Sequence, residues 1–325
     1  MKITLKDGSV KEYESAMSII EIAKDISEGL ARVACAGEIN GEVADLRTVV
    51  DKDCELSILT FDDEAGKAAY RHTCSHVLAE AVKRLYPEAK LAIGPSIDTG
   101  FYYDFDHESF SREDLDKIEA EMKKIIKEGA EIKRFELPRN EAIKFMEERN
   151  EPYKVELIRD LPQDAVISFY SQGDFTDLCA GPHLMTTKGI KAFKLTSSSM
   201  AYWRGDSDKA RLQRIYGTAF NKKEELNAYL EKLEDAKRRD HNKLGREMEL
   251  FTTVDVIGQG LPLFPPKGTK VIMKLQRWIE DLEDKEWGYV RTRTPLMAKS
   301  DLYKISGHWD HYKDGMFVLG DEEKD

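Results

Sequence analysis

The stretch HTCSHVLAEAVKRLYP, residues 72–87, decides how this chain is read. A helix turns about 100° per residue. On such a helix Cys74, Val77, Leu78, Ala81 and Leu85 form one apolar stripe, and Pro87 ends the run. His72 and His76 fall on the other side, beside Lys83. The pair is therefore expected off the core-facing side, either in a site or as ordinary surface histidines. A zinc protease helix needs a glutamate directly after the first histidine as its general base. Thr73 stands at that position, which excludes the protease.

A second pair follows in DLCAGPHL, residues 177–184, where Cys179 and His183 are also four apart. Gly181-Pro182 forbids a continuous helix, so this pair is expected on a turn. Three imidazoles and a thiolate suit a tetrahedral zinc site. The same four groups can instead hold a water and move protons, because imidazole titrates near neutral pH. Spacing alone leaves both options open, together with the option that the two pairs never meet.

Working outward, residues 1–62 read as a small α/β unit. Asp7-Gly8 between KITL and VKEY suits a tight type I′ hairpin turn, and Asn40-Gly41 is a second turn signal. Ser15 is a candidate cap for a helix through Ile19, Ile20, Ile22 and Ala23. The order suggests a ubiquitin-like β-grasp. Residues 63–222 read as a mixed α+β domain with helices over 64–86, 112–128 and 139–149. Ser111 and Gly129 are the cap and stop of the second of these. Residues 223–250 read as a charged linker helix with a Leu226, Leu230, Leu233 stripe. From Phe251 the chain is loop-like, then helical to Gly288, with YVRTRTPLM expected as a strand. The fold class is α+β and multidomain.

At 325 residues, 41% hydrophobic and 34% charged, the composition is that of a globular protein with a charged surface. No apolar run approaches the roughly 18 residues of a membrane span, and the N-terminus lacks a signal-peptide core. Four irregularly spaced cysteines (Cys35, Cys54, Cys74, Cys179) suggest no disulfide scaffold, so a reducing cytoplasm is expected. A net charge of −11 excludes a simple basic nucleic-acid coat. It leaves room for a local patch, and AKRRDHNKLGR, residues 236–246, supplies Lys237, Arg238, Arg239, Lys243 and Arg246.

Four motifs in order are far more specific than either pair: HTCSHVLAEAVKRLYP, GFYYDF, EPYKVELI and DLCAGPHL. Together they resemble the editing domain of bacterial-type threonyl-tRNA synthetase. The first 62 residues resemble the TGS module of that family. RDHNKLGREMELF, GQGLPLFPPKGTKV and EWGYVRTRTPLM resemble the start of its class II catalytic domain, which implies the beginning of an antiparallel-sheet domain, with motif 1 carrying Gly288, Tyr289, Val290 and Pro295. GHWDHYKDGMF also fits.

The resemblance implies that His72, His76, Cys179 and His183 form an editing quartet, with Asp177, Lys154 and Tyr103 lining the pocket. It implies hydrolysis of the ester of mischarged seryl-tRNA(Thr). His72 and Lys154 would position and activate water, and His76 and His183 would orient the water, the ribose hydroxyls or the amine. Asp177 would pair with the serine ammonium, and Cys179 would form pocket wall. Threonine and serine differ by one methyl, which a pocket discriminates by only about 1–3 kcal/mol, so a second sieve is needed. Alanine-type relatives hold zinc with this quartet, whereas the threonine type relies on water, and no metal is expected here.

The resemblance further implies an N-terminal fragment of a threonine–tRNA ligase that lacks motifs 2 and 3 and cannot make threonyl-tRNA alone. ATP with Mg, and a synthetic-site zinc, would act beyond residue 325. The expected partners are tRNA(Thr), threonine and ATP, with a homodimer at full length and no membrane. The basic residues of 236–246 would contact tRNA phosphates. Two other readings compete: a freestanding zinc-dependent aminoacyl-tRNA deacylase, and a non-enzymatic TGS-containing regulator that binds RNA or a nucleotide.

Overall fold

The computed structural model describes residues 1–320, so the final five residues of the segment read as 251–325 lie outside the described residues. The chain divides into two compact units after Glu234.

The first unit begins with a five-stranded sheet of order β2-β1-β7-β4-β5. Its strands are β1 (Lys2–Leu5), β2 (Val10–Glu12), β4 (Ala36–Ile39), β5 (Glu42–Ala44) and β7 (Cys54–Leu59). β1 and β7 are parallel, the crossover expected of a β-grasp. A small pair, β3 (Met17–Ser18) and β6 (Val49–Val50), flanks helices α1 (Ile19–Ile26) and α2 (Glu28–Val33). Ile3, Ile19, Ile22, Leu46 and Leu56 are fully or almost fully buried at its centre.

Two local expectations are corrected by the structure. The turn at Asp7-Gly8 is not a two-residue type I′ turn. Gly8 N donates to Leu5 O and Leu5 N to Ser9 O, each at 2.8 Å, and Gly8 takes φ 82°, the pattern of a type I turn closed by a glycine bulge. The cap of α1 is Ser18 rather than Ser15, because Glu21 three residues on accepts the Ser18 N–H at 2.8 Å.

The same unit continues with the long helix α3 (Glu64–Leu85). A second sheet, of order β14-β15-β10-β8, packs against it. Its strands are β8 (Lys90–Leu91), β10 (Gly100–Asp106), β14 (Ala192–Tyr202) and β15 (Arg211–Phe220), with β9 (Ser96–Ile97) paired to β10. Helix α4 (Arg112–Glu128) covers the sheet beside α3. Ser111 and Asp114 form its capping box, and Gly129 closes it at φ 70°. A third sheet joins β11 (Ile132–Glu136), β12 (Ser168–Gln172) and β13 (Phe175–Leu178) in sequence order. Helices α5 (Arg139–Glu148) and α6 (Pro152–Asp160) bury Ala142, Met146, Val155 and Ile158 with Phe169 of β12.

Helix α7 (Lys223–Arg238) carries the chain into the second unit. The expected single linker helix over 223–250 is two helices: α8 (His241–Glu247) starts afresh with Asp240 as its cap. The antiparallel sheet expected from Phe251 onward is not formed among the described residues, where the one pairing is the bridge Thr252–Leu263. Residues 289–297 are not a strand, and Val290, Leu296 and Met297 are largely exposed. The physical reason is plain: a strand needs a neighbour to take its backbone hydrogen bonds, and none among the described residues pairs with it. Helices α9 (Pro266–Asp281), α10 (Ser300–Ile305) and α11 (His308–Tyr312) complete the unit, with a π turn at Leu282–Glu286.

Candidate active site

Four secondary-structure elements and one loop of the first unit deliver the site. α3 brings His72 and His76, β10 brings Tyr103, and α6 brings Lys154. Asp177 is on β13, and Cys179 and His183 follow on the irregular loop that runs through a cis Gly181-Pro182 bond. Gly181 sits at φ 79°, and a Cβ there would lie 2.1 Å from the Tyr170 hydroxyl, so only glycine fits. All seven residues meet around one cavity of about 470 Å³ or in the layer directly behind it.

The four candidate ligand atoms of His72, His76, Cys179 and His183 lie within 4.8 Å of one another. Cys179 Sγ is 3.4 Å from His72 Nε2 and 3.2 Å from His183 Nε2. Sγ also accepts the Gly181 N–H at 3.2 Å. The rings of His76 and His183 are 4.1 Å apart between centroids, and those of His72 and His183 are 4.3 Å apart.

His76 and His183 are buried, and His72 is half-buried. The expectation that the histidine pair faces away from the apolar stripe of α3 holds in direction, yet the alternative of ordinary surface histidines fails. α3 is buried on nearly all sides, with 3% exposure at His76. Burial lowers the pKa of His72 to about 4 and of His76 to about 3, although Asp177 pulls each the other way. His183 is also driven well below the ordinary value by burial and by its neighbouring imidazoles. Near neutral pH the three rings are uncharged lone-pair donors. Burial pushes the Cys179 thiol up to about 12, so it keeps its proton.

Proton counting assigns the tautomer of His183. Thr73 has one hydroxyl hydrogen, which it donates to Ala69 O at 2.8 Å. Its oxygen then accepts the Leu184 N–H at 2.9 Å, and His183 Nδ1 lies 3.2 Å away. Nδ1 must therefore carry the hydrogen, and Nε2 presents its lone pair toward Cys179 and the cavity. Thr73, which excluded a protease, has a positioning task of its own.

Behind the quartet lies a buried polar network. Lys154 and Asp177 are 3% and 2% exposed. The Lys154 ammonium is 2.7 Å from Asp177 Oδ1, a buried ion pair. It also donates to the Tyr103 hydroxyl at 3.0 Å, which donates to Asp177 Oδ2 at 2.5 Å. His76 Nε2 is 3.8 Å from Oδ2. Burial works against the carboxylate, but Lys154, His76 and Tyr103 together hold its pKa below the ordinary value. Tyr103, not its exposed-side neighbour Tyr102, is the tyrosine of this buried network.

The quartet suits zinc in donor type. Its two sulfur–nitrogen separations are close to the edge of a zinc tetrahedron, which is about 3.3–3.7 Å for bonds of 2.0–2.3 Å. Four protein ligands, however, make a closed site, whereas a hydrolytic zinc keeps one position for water.

The basic residues Lys237, Arg238, Arg239, Lys243 and Arg246 are exposed and belong to the second unit. Arg238 and Arg239 both pair with Asp235. Sequence reading missed Asp45, Arg47, Tyr170 and Gly94 as contributors to the site. Only their long-range contacts reveal them, and no spacing signal marks them.

Residues 1–60 match the TGS domain family, and residues 167–216 match the family described as the threonyl and alanyl tRNA synthetase second additional domain. Along its whole length the chain is 68% identical to a threonine–tRNA ligase of Clostridium perfringens (strain SM101), covering 50% of that protein. It is 60% identical to that of Acetivibrio thermocellus and 53% identical to that of Clostridioides difficile, covering 51% of each. The chain spans about half the length of these relatives, and over that span it is similar to threonine–tRNA ligases.

Proposed function

We propose that the first unit is a proofreading hydrolase that cleaves the ester of seryl-tRNA(Thr), working within a threonine–tRNA ligase. The ligase activity, which joins threonine to tRNA(Thr) with ATP, belongs to the whole protein. The observation that carries this reading is the meeting of three uncharged imidazoles and a thiol with a buried Lys154–Asp177–Tyr103 network at one cavity.

An uncharged imidazole accepts a hydrogen bond from water and aims an oxygen lone pair at the ester carbonyl. His72, half-buried and lining the cavity, would take that task. Attack forms the C–O bond to water, and the ester C–O bond breaks. One water proton leaves with the ribose oxygen, and serine and tRNA are the products. Lys154 carries positive charge to the side where negative charge grows on the carbonyl oxygen. Asp177, which lines the cavity with its carboxylate paired to Lys154, would share that carboxylate with the serine ammonium. A zinc held by the quartet would supply Lewis acidity, but the water-based reading is favoured because the four side chains leave it no open position.

The test is deacylation of seryl-tRNA(Thr) by the 325-residue chain, with threonyl-tRNA(Thr) and alanyl-tRNA as competitors. The reading expects turnover of the seryl ester, and loss of turnover in His72→Ala and Lys154→Ala. Absence of deacylation, or equal cleavage of the alanyl ester, would refute it. Phosphate contacts by the basic residues of 236–246 belong to the same proposal. They predict a shallower salt dependence of tRNA binding when those residues are neutralised, by about one unit of slope for each phosphate that is no longer paired with a cation.

A further inference from the structure

Residues 1–62 carry no catalytic constellation, yet one turn of the N-terminal module reaches the loop that bears His183. Leu46 anchors that turn. It is fully buried in the module's core, and its carbonyl accepts the Ile20 N–H at 2.9 Å. Its two neighbours hold the second sequence segment.

Four donors converge on the Asp45 carboxylate. Oδ2 accepts the backbone N–H of His183 at 3.1 Å and the Tyr170 hydroxyl at 3.0 Å. Oδ1 accepts Arg47 N–H and Arg47 Nη1, each at 2.9 Å. The Arg47 guanidinium then donates to Leu184 O at 2.8 Å, to His183 O at 3.3 Å, and twice to Ile132 O at 2.5 and 2.9 Å. Both backbone polar groups of His183 are thus held by one turn of another module. The Tyr170 ring packs on the His183 imidazole at 4.5 Å, and Met185 packs against the module's own core.

We infer that the Asp45–Arg47 turn is a positioning element of the hydrolytic pocket: it holds the His183 backbone so that Nε2 stays aimed at Cys179 and the cavity. The pocket is complete only with the N-terminal module docked. This inference rests on the editing reading for its kinetic consequence. Asp45 is specific in kind. An amide offers one acceptor oxygen where four donors arrive, so asparagine would turn an N–H against another donor.

Two readouts on the full 325-residue chain test this. In seryl-tRNA(Thr) deacylation, Asp45→Asn is expected to lower kcat about 10–100-fold, as for a small misplacement of a reacting group, with KM nearly unchanged. Tyr170→Phe removes one donor but keeps the His183 N–H bond, and its loss is expected to be smaller. A purely structural role would lower Tm and leave kcat per folded molecule at the wild-type level, which overturns the inference. The second readout is the 15N shifts of the His183 ring. Wild type is expected to show a protonated Nδ1 and a bare Nε2, and Asp45→Asn an average of the two tautomers. Unchanged shifts in Asp45→Asn also overturn it. If the wild-type chain fails to deacylate while the shifts respond as expected, the editing reading falls and the positioning role stands. Arg47→Met, which leaves Leu46 and Asp45 in place but releases three carbonyls, carries the same readouts where Asp45→Asn does not fold.

Discussion

Replacing Lys154 with methionine removes the ammonium that faces a buried carboxylate. Asp177 is 2% exposed, and its Oδ1 has no partner other than the Lys154 ammonium at 2.7 Å. Breaking a buried ion pair on one side costs about 3–5 kcal/mol, because an uncompensated charge remains. For a unit of this size each kcal/mol moves Tm by about 2–4 °C, so Lys154→Met should lower it by about 6–20 °C. Adding Asp177→Leu removes the stranded charge. What remains is the Tyr103 hydroxyl, which then has neither its acceptor, Asp177 Oδ2, nor its donor, Lys154. An unsatisfied buried hydroxyl costs about 1–3 kcal/mol. Adding Tyr103→Phe removes that as well, and an apolar trio of similar volume should return to within about 1 kcal/mol of wild type. Stability should therefore rise with each further substitution, while seryl-tRNA(Thr) deacylation stays abolished in all three. Thermal unfolding followed by circular dichroism, beside a deacylation assay, reads both. A Lys154→Met chain within about 2 °C of wild type, or a steady additive fall across the series, would refute the network.

Three further outcomes follow from the same geometry. Gly94→Ala should cost about 1–3 kcal/mol by overpacking, because its Cβ would meet the Tyr103 ring at 2.0 Å; the displaced hydroxyl should abolish deacylation, read by thermal melt and by assay. Stripping divalent metals with a chelator should leave deacylation unchanged, and metal analysis of the active chain should find no stoichiometric zinc. The buried histidines should make the fold acid-sensitive, since their folded pKa values lie below the unfolded value near 6.5. Below that value the unfolded chain binds the extra protons, so stability is full above it and falls as pH drops. The fall is at most about 1.4 kcal/mol per pH unit per histidine, continuing toward about 4 for His72. His72→Gln should flatten the pH dependence of Tm between neutrality and that point.

Much of the fold was legible because its signals are local. Ser111, Asp114 and Gly129 delimit α4 by chemistry contained in one turn at each end. Gly181-Pro182 announces a loop between Cys179 and His183, and the loop is there. Reading failed where a tertiary partner decides the outcome. An apolar stripe on α3 implies a wet opposite face only when nothing covers that face, and here the Cys179–His183 loop and the Asp177 strand cover it. Residues 289–297 have strand-like composition, but composition cannot supply the neighbour that a strand requires.

The candidate site shows the same division more sharply. Each four-residue spacing reports one turn of helix or one loop, and nothing in either says that the two meet. Their meeting depends on groups with no spacing signal at all. Thr73 reads as the absence of a catalytic glutamate, and only its bonds with Ala69, Leu184 and His183 make it the clamp that fixes a tautomer. Asp45 lies 138 positions from His183 and sits in a module with its own core, so sequence gives it no reason to be at the pocket. Physics does give one. The irregular loop carrying His183 cannot satisfy its backbone in a sheet, and a buried backbone group without a partner is costly. Asp45 and Arg47 take those bonds from outside the loop's own domain. A pocket built on an irregular loop therefore carries a requirement for an external acceptor and donor, and in this chain the N-terminal module supplies both.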